Sequence, residues 1–213
     1  LTNGDSIVYP LRTLQGLRPY GAASLTLTTL TMLLPFLMAR KFLARPEDQA
    51  AFLAVFAVAA ILYSLPTLWE VRMSPRLNAQ IYGFFPHDWR QHLRAGGYRP
   101  LVFLEHGLRL GLFLALGVLA TAVLLRTSQD QPRRLAIFGL AWLLPVLVLS
   151  KNLTAFLIVC LLLPAVMFLR PRGQVLIAAI FAGTVLLYPM TRAVGLVPID
   201  TITSTLSNFA GPL

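Results

Sequence analysis

The chain has 213 residues, of which 57% are hydrophobic and only 12% charged, with a formal net charge of +10. A soluble domain of this length carries about 25% charged residues, so this chain has too little polar surface to face water. It reads as an all-α, polytopic integral membrane protein. Sixteen of the eighteen cations are arginine, Lys41 and Lys151 being the exceptions. Guanidinium groups make two-pronged hydrogen bonds to phosphate. The bias therefore points either to anionic ligands or to a GC-rich genome that favours arginine codons.

A bilayer-spanning helix needs about 20 mostly apolar residues. In chain order the apolar runs predict about six spans near Tyr20–Met38, Ala50–Leu68, Leu101–Leu125, Leu135–Leu149, Leu153–Leu169 and Val175–Leu187. The whole chain 1–213 is taken as one transmembrane domain. It begins at Leu1 rather than methionine and stops soon after an apolar run, so it reads as the middle of a longer protein. The connections Ala39–Gln49, Arg126–Arg134 and Arg170–Gln174 alternate along the chain and carry eight cations in short loops. The positive-inside rule makes them cytoplasmic. The opposite side then holds Leu1–Pro19, the external loop Trp69–Pro100, the hairpin Ser150–Asn152 and Tyr188–Leu213, with ten cations, counting Arg109 near its face, spread over more residues. Charge density obeys the rule and raw count does not, so the external cations need a further reason to exist.

In that external loop aromatic residues alternate with charge: Tyr82, Phe84, Phe85, Trp89 and Tyr98 among Arg76, Arg90, Arg94 and Arg99. Pro86 at a first helical position and Gly96-Gly97 as a stop predict a short amphipathic helix between them, lying at the membrane surface with its rings at headgroup depth. His87 and His92 belong to this loop. Beyond it, Pro100 is expected to set the first turn of the third span. At 100° per residue, Arg99 and His106 then fall within about 20° of each other and Arg109 about 60° from His106. This makes a polar stripe at the external mouth of the helix. Glu105 precedes Arg109 by four residues, the favourable order for an ion pair. Gly107 and Gly111 form a GxxxG on a different face, suited to close packing against another helix. Charged groups in a span are costly and usually mark function, although those near an end can snorkel.

Lys151 sits on a very short external hairpin and Arg192 just beyond the last run, both placed to meet an anion or merely solvent and headgroups. The lone Cys160 forms no internal disulfide and reads as a small buried apolar residue. Three scattered histidines without an HxxxH or HExxH pattern predict no metal site. No phosphate-binding glycine loop predicts ATP use, and no cofactor or nucleic-acid partner is expected. All six runs lack an Asp or Glu at mid-membrane, which weighs against an ion-driven transporter.

The stretch "GGYRPLVFLEHGLRLGLFLALGVLA", preceded by "YGFFPH", resembles the bacterial O-antigen ligase and O-antigen polymerase family. "LSKNLTAFLIVCLLLPAVMFLRPR" resembles that family's following hairpin, and "YPLRTLQGLRPYG" is weakly similar to its N-terminal part, so the resemblance covers roughly Tyr9 to Leu196. It implies a multi-pass inner-membrane glycosyltransferase without a metal, acting at the periplasmic face. The donor would be a glycan on undecaprenyl pyrophosphate and the acceptor another glycan or the lipid A core, with membrane lipids around it. Arg99 matches the family's arginine ahead of the glycan-side helix, and His106 falls at the polar position in that helix's first turns, as a candidate catalytic base. Lys151 stands where the family's hairpin usually has arginine, which keeps the charge and loses the two-pronged donor. Arg109 and Arg192 join the pyrophosphate-binding candidates by placement alone. The rival expectations are a transporter or flippase for a lipid-linked or anionic solute, and a non-catalytic membrane subunit.

Overall fold

A computed structural model describes residues 7–9, 12–14, 16, 19–85, 92–94 and 96–193. The chain opens with an antiparallel pair, β1 (Ile7–Tyr9) and β2 (Arg12–Leu14). Helices α1 (Pro19–Phe42), α2 (Pro46–Met73) and the short α3 (Leu77–Tyr82) follow. A two-residue antiparallel ladder, β3 (Leu93–Arg94) with β4 (Gly97–Tyr98), leads into α4 (Gly107–Thr127), α5 (Asp130–Leu149), α6 (Leu153–Phe168) and α7 (Pro171–Ala193). Among the described residues, α1, α2, α4, α5 and α7 are long and apolar enough to cross a membrane, the make-up of a multi-pass membrane protein. Helix α6 is apolar but has 16 residues. At 1.5 Å per residue it rises about 24 Å, short of a ~30 Å hydrocarbon layer.

Helices α2, α4, α5 and α6 form the packed unit, with α4 at its centre. The core joins Ala60 of α2, Leu110, Leu114, Ala115 and Val118 of α4, Leu143, Val146 and Leu147 of α5, and Ala155 and Val159 of α6. Glycines on α4 set how closely its neighbours approach. A Cβ on Gly117 would collide with the Ala60 side chain, and one on Gly111 would collide with Asn152 at the head of α6. Trp142 Nε1 of α5 donates to Ser64 Oγ of α2 at 2.7 Å, which satisfies two polar groups inside the apolar layer. By contrast, α1 buries no residue, and the spanning window of α7 is likewise exposed. Along α1 the hydroxyls of Thr26, Thr28, Thr29 and Thr31 each donate to the carbonyl four residues back, leaving an apolar outer surface.

Several boundaries differ from those read in the sequence. Helix α2 continues past Leu68 to Met73 and so includes Glu70. Helix α5 starts at Asp130, which draws Arg133 and Arg134 out of the expected loop and into its first turns. The third span begins at Gly107 rather than Leu101, and the amides of Leu101 and Val102 are held by the Glu70 carboxylate in a non-helical approach. Val102 also sits at φ 55°, incompatible with a right-handed turn. The amphipathic helix expected from Pro86 to Gly96 cannot reach its stop. Leu93 and Arg94 are extended and paired with Tyr98 and Gly97, while Trp89 lies outside the described residues. Cys160 is exposed on the outer side of α6, not buried.

Candidate functional site at the Glu70 end

One end of the four-helix unit collects the C-terminus of α2, the β3–β4 ladder, the start of α4 and the α5–α6 hairpin. Its organiser is Glu70, fully buried in the last turn of α2. Glu70 Oε1 accepts the amide of Leu77 at 3.0 Å, and Oε2 accepts those of Leu101 at 2.7 Å and Val102 at 2.6 Å. One carboxylate therefore pins both the start of α3 and the approach to α4. Tyr63, two turns earlier on α2, accepts the amide of Phe103 through its hydroxyl at 3.2 Å.

The pinned backbone is strained. Among the described residues, Ser74 (φ 88°), Val102 (φ 55°) and Lys151 (φ 53°) are the non-glycine positions with positive φ, and all three lie at this end. Such conformations cost on the order of 1–3 kcal/mol each and persist only where the surroundings over-determine them. For a β-branched residue such as Val102 the conformation is a true outlier.

The strained segment delivers the candidate residues. Arg99 is buried, and its peptide group closes the ladder: its amide donates to the His92 carbonyl at 2.7 Å, and its carbonyl lies 3.3 Å from His92 Nδ1. The Arg99 side chain crosses Gly107, where a Cβ would stand 2.8 Å from Nε. Lys151 reaches across from the α5–α6 hairpin onto Gly97, whose missing Cβ makes the space. The Gly96-Gly97 pair therefore serves a turn, with Gly96 at φ 69°, and a seat for Lys151, rather than ending a helix. His106 is the N-cap of α4, its Nδ1 accepting the amide of Leu108 at 3.0 Å. The His92 and His106 ring centroids are 6.4 Å apart, and Phe85 stands edge-on to His92 at 5.2 Å.

Arg99, His106 and Lys151 are thus brought to one end, but not by the helical stripe expected from their spacing. Residues 99–106 are non-helical, and Arg99 packs on the glycine face of α4 itself. Arg109 is two residues past Gly107, about 200° round the helix. Its side chain is 65% exposed and pairs with Glu105 at 2.7 Å, so it does not join the group. Arg192 lies in the last turn of α7, and its side chain is outside the described residues. Three contributors were missed in the sequence. Glu70 follows the second apolar run by two residues, so it passed for loop. His92 carries no spacing signal. Asn152 did carry one, as an Asn immediately ahead of an apolar run. Its Nδ2 donates to the Gly107 carbonyl at 2.9 Å and its Oδ1 caps α6 through the Ala155 amide at 3.4 Å.

Two apolar grooves lie toward the opposite end, one between α2, α4 and α5 and one between α4, α6 and α7, and neither is lined by these residues. Among the described residues no group of three or more His, Cys, Asp or Glu side chains is placed to hold a metal ion. Comparison with protein-family models, curated proteins and solved structures finds no match to this chain.

Proposed function

We propose that this chain forms part of a bacterial inner-membrane glycosyltransferase that moves a glycan from undecaprenyl pyrophosphate to a glycan or lipid A core acceptor at the periplasmic face. The observation that carries the proposal is the gathering of Arg99 and Lys151 at one end of the bundle, each seated on a glycine, with Lys151 at a positive φ. A departing lipid diphosphate gains negative charge in the transition state, and cations already fixed in place stabilise that charge without reorganising. At this end Glu70 is engaged by three amides and Glu105 by Arg109. The same engagement of Glu70 supports transfer over ion-coupled transport, which needs a carboxylate able to take and release its ion. The motifs that resemble the ligase and polymerase family supply the donor and acceptor classes.

The test is reconstitution of the full-length protein in vesicles with undecaprenyl-pyrophosphate glycan and acceptor. Transfer is expected from the wild type. Arg99→Ala and Lys151→Ala should lower it at least tenfold at unchanged protein level. Two active variants, or cysteine labelling that puts residue 99 on the same side of the membrane as Arg133, would overturn the proposal.

A further inference from the structure

The opposite end of the bundle holds a feature that the proposed transfer does not use. Between α2 and α5 an apolar groove of about 280 Å³ runs over the last turns of α4. Ala54 and Ala57 of α2 and Leu135 and Ala136 of α5 form its sides, and Thr121 and Leu124 of α4 its floor. The alanines keep it open, since a longer side chain on either wall enters the slot. Thr121 brings no free donor to the floor, because its hydroxyl donates to the Gly117 carbonyl at 2.8 Å. The roof lies where Gly139 of α5 meets α2 and α4: a Cβ there would stand 3.1 Å from Thr121 Cγ2 and 3.3 Å from Ile61 Cδ1. The mouth is at Ser128 and Pro132, where α4 gives way to α5. From Ala54 to Ile61 helix α2 rises about 10 Å at 1.5 Å per residue, roughly a third of a ~30 Å hydrocarbon layer. A helix, about 10 Å across with its side chains, does not enter a slot of this size, whereas a single hydrocarbon chain does.

Charge stands at the mouth. Arg133 and Arg134 lie between the lining residues Pro132 and Leu135. Both are exposed, and neither has a side-chain hydrogen bond or ion pair among the described residues. Arg126, by contrast, is committed to two α6 carbonyls. The three connections on this side carry eight cations against the acids Glu47, Asp48 and Asp130. Arginines near helix ends extend to headgroup level and take phosphate in two-pronged hydrogen bonds. From the apolar slot and the unpaired arginines at its mouth we infer a site for one anionic phospholipid of the leaflet at this end, with an acyl chain in the groove and its phosphate on Arg133 and Arg134. The site is separate from the Glu70 end and stands whether or not the chain transfers a glycan. Bound there, the lipid bridges α2 and α5 on one side of the roof, while the Trp142–Ser64 bond joins the same helices on the other.

The test uses the full-length protein purified in detergent, with phosphatidylglycerol and phosphatidylcholine of identical chains and inorganic phosphate as probes. Native mass spectra should show phosphatidylglycerol bound at least tenfold more tightly than phosphatidylcholine, as two nearby cations favour an anionic headgroup. Arg133→Gln combined with Arg134→Gln should abolish that preference and leave the thermal unfolding midpoint of the lipid-free protein unchanged. Ala54→Phe, at an exposed position on the groove wall, should fill the slot and weaken phosphatidylglycerol binding at least tenfold; Ala54→Leu replaces it if the larger ring prevents folding. Equal binding of the two lipids, a preference that survives the arginine changes, or full affinity in the filled-groove variant would overturn the inference. So would inorganic phosphate binding as tightly as the lipid, the mark of a free-anion site, or a dimer that Ala54→Phe breaks, which would put a second copy in the groove.

Discussion

The two ends of the four-helix unit solve the same problem with opposite charges. At one end an acid gathers amides: Glu70 accepts from Leu77, Leu101 and Val102. At the other a base gathers carbonyls: Arg126 Nη1 donates to Val166 at 2.5 Å and to Leu169 at 2.6 Å. Gln174 Nε2 donates to the same two carbonyls and to that of Ala165. The Arg126 end finishes α6, a helix too short to carry its last carbonyls into water. Its backbone is regular. The Glu70 end instead bends the chain into three positive-φ residues and uses the bends to seat Arg99, His106 and Lys151. The first arrangement stabilises, while the second spends stability to place side chains, the pattern expected where function sits.

If that contrast is right, Glu70→Ala should have the largest effect of any single change at either end. It leaves three amides without their acceptor, each costing roughly 1–3 kcal/mol when buried, so a loss of about 3 kcal/mol or more is expected from thermal unfolding in detergent. Glu70→Gln retains one acceptor oxygen and should fall between. An unfolding midpoint for Glu70→Ala equal to the wild type would mean that water replaces the carboxylate and that it organises nothing. Gly111→Ala comes next. Its new Cβ lands on Asn152, which both caps α6 and holds the Gly107 carbonyl. Overpacking of this kind costs about 1–3 kcal/mol. It should also widen the gap between α4 and α6, measurable by disulfide trapping of cysteines placed on the two helices.

Lys151→Gly sharpens the comparison because its two effects have opposite signs. Glycine occupies φ 53° without strain, so the protein should gain about 1 kcal/mol of stability. The cation is lost with it, so pyrophosphate binding should weaken at least tenfold. A variant that is more stable and still binds would show that the Lys151 conformation serves no ligand. At the regular end, Arg126→Ala removes two carbonyl bonds and should cost about 1 kcal/mol, with glycan transfer within twofold of wild type.

How much of this was legible in the sequence follows from the range of each interaction. Apolar length alone marked the five helices long enough to cross a membrane and the shorter α6, since an apolar run is a local property and needs no partner. The GxxxG read correctly at Gly111, which meets Asn152 at the head of α6, but Gly107 meets the Arg99 side chain rather than another helix. The entry to α4 misled for the opposite reason. Pro100 and the apolar residues after it favour a helix locally, but Val102 stands at φ 55°, its amide held by Glu70 more than thirty residues upstream. A carboxylate that wins backbone amides from a distant segment leaves no periodic trace. Once the helix start moves to Gly107, the angular argument that joined Arg99 to Arg109 fails. Arg99, His106 and Lys151 still come together, through the ladder and the hairpin. His92 could be found only in three dimensions, since it joins this end through its pairing with the Arg99 peptide group.

The smallest expected effect belongs to Arg109, and it tests the boundary of the site. By placement in the sequence this residue belongs with Arg99; in the fold it lies on the far side of α4, largely exposed and paired with Glu105. Exposed i,i+4 pairs contribute roughly 0.3–0.5 kcal/mol, since solvent screens them and two long side chains lose freedom in forming them. Arg109→Ala should therefore shift stability by less than about 0.5 kcal/mol and leave transfer within twofold of wild type, while Arg99→Ala removes it. Equal losses in the two variants would mean that the diphosphate reaches round α4 to both arginines, and the seat over Gly107 would then be only half of a larger cationic surface.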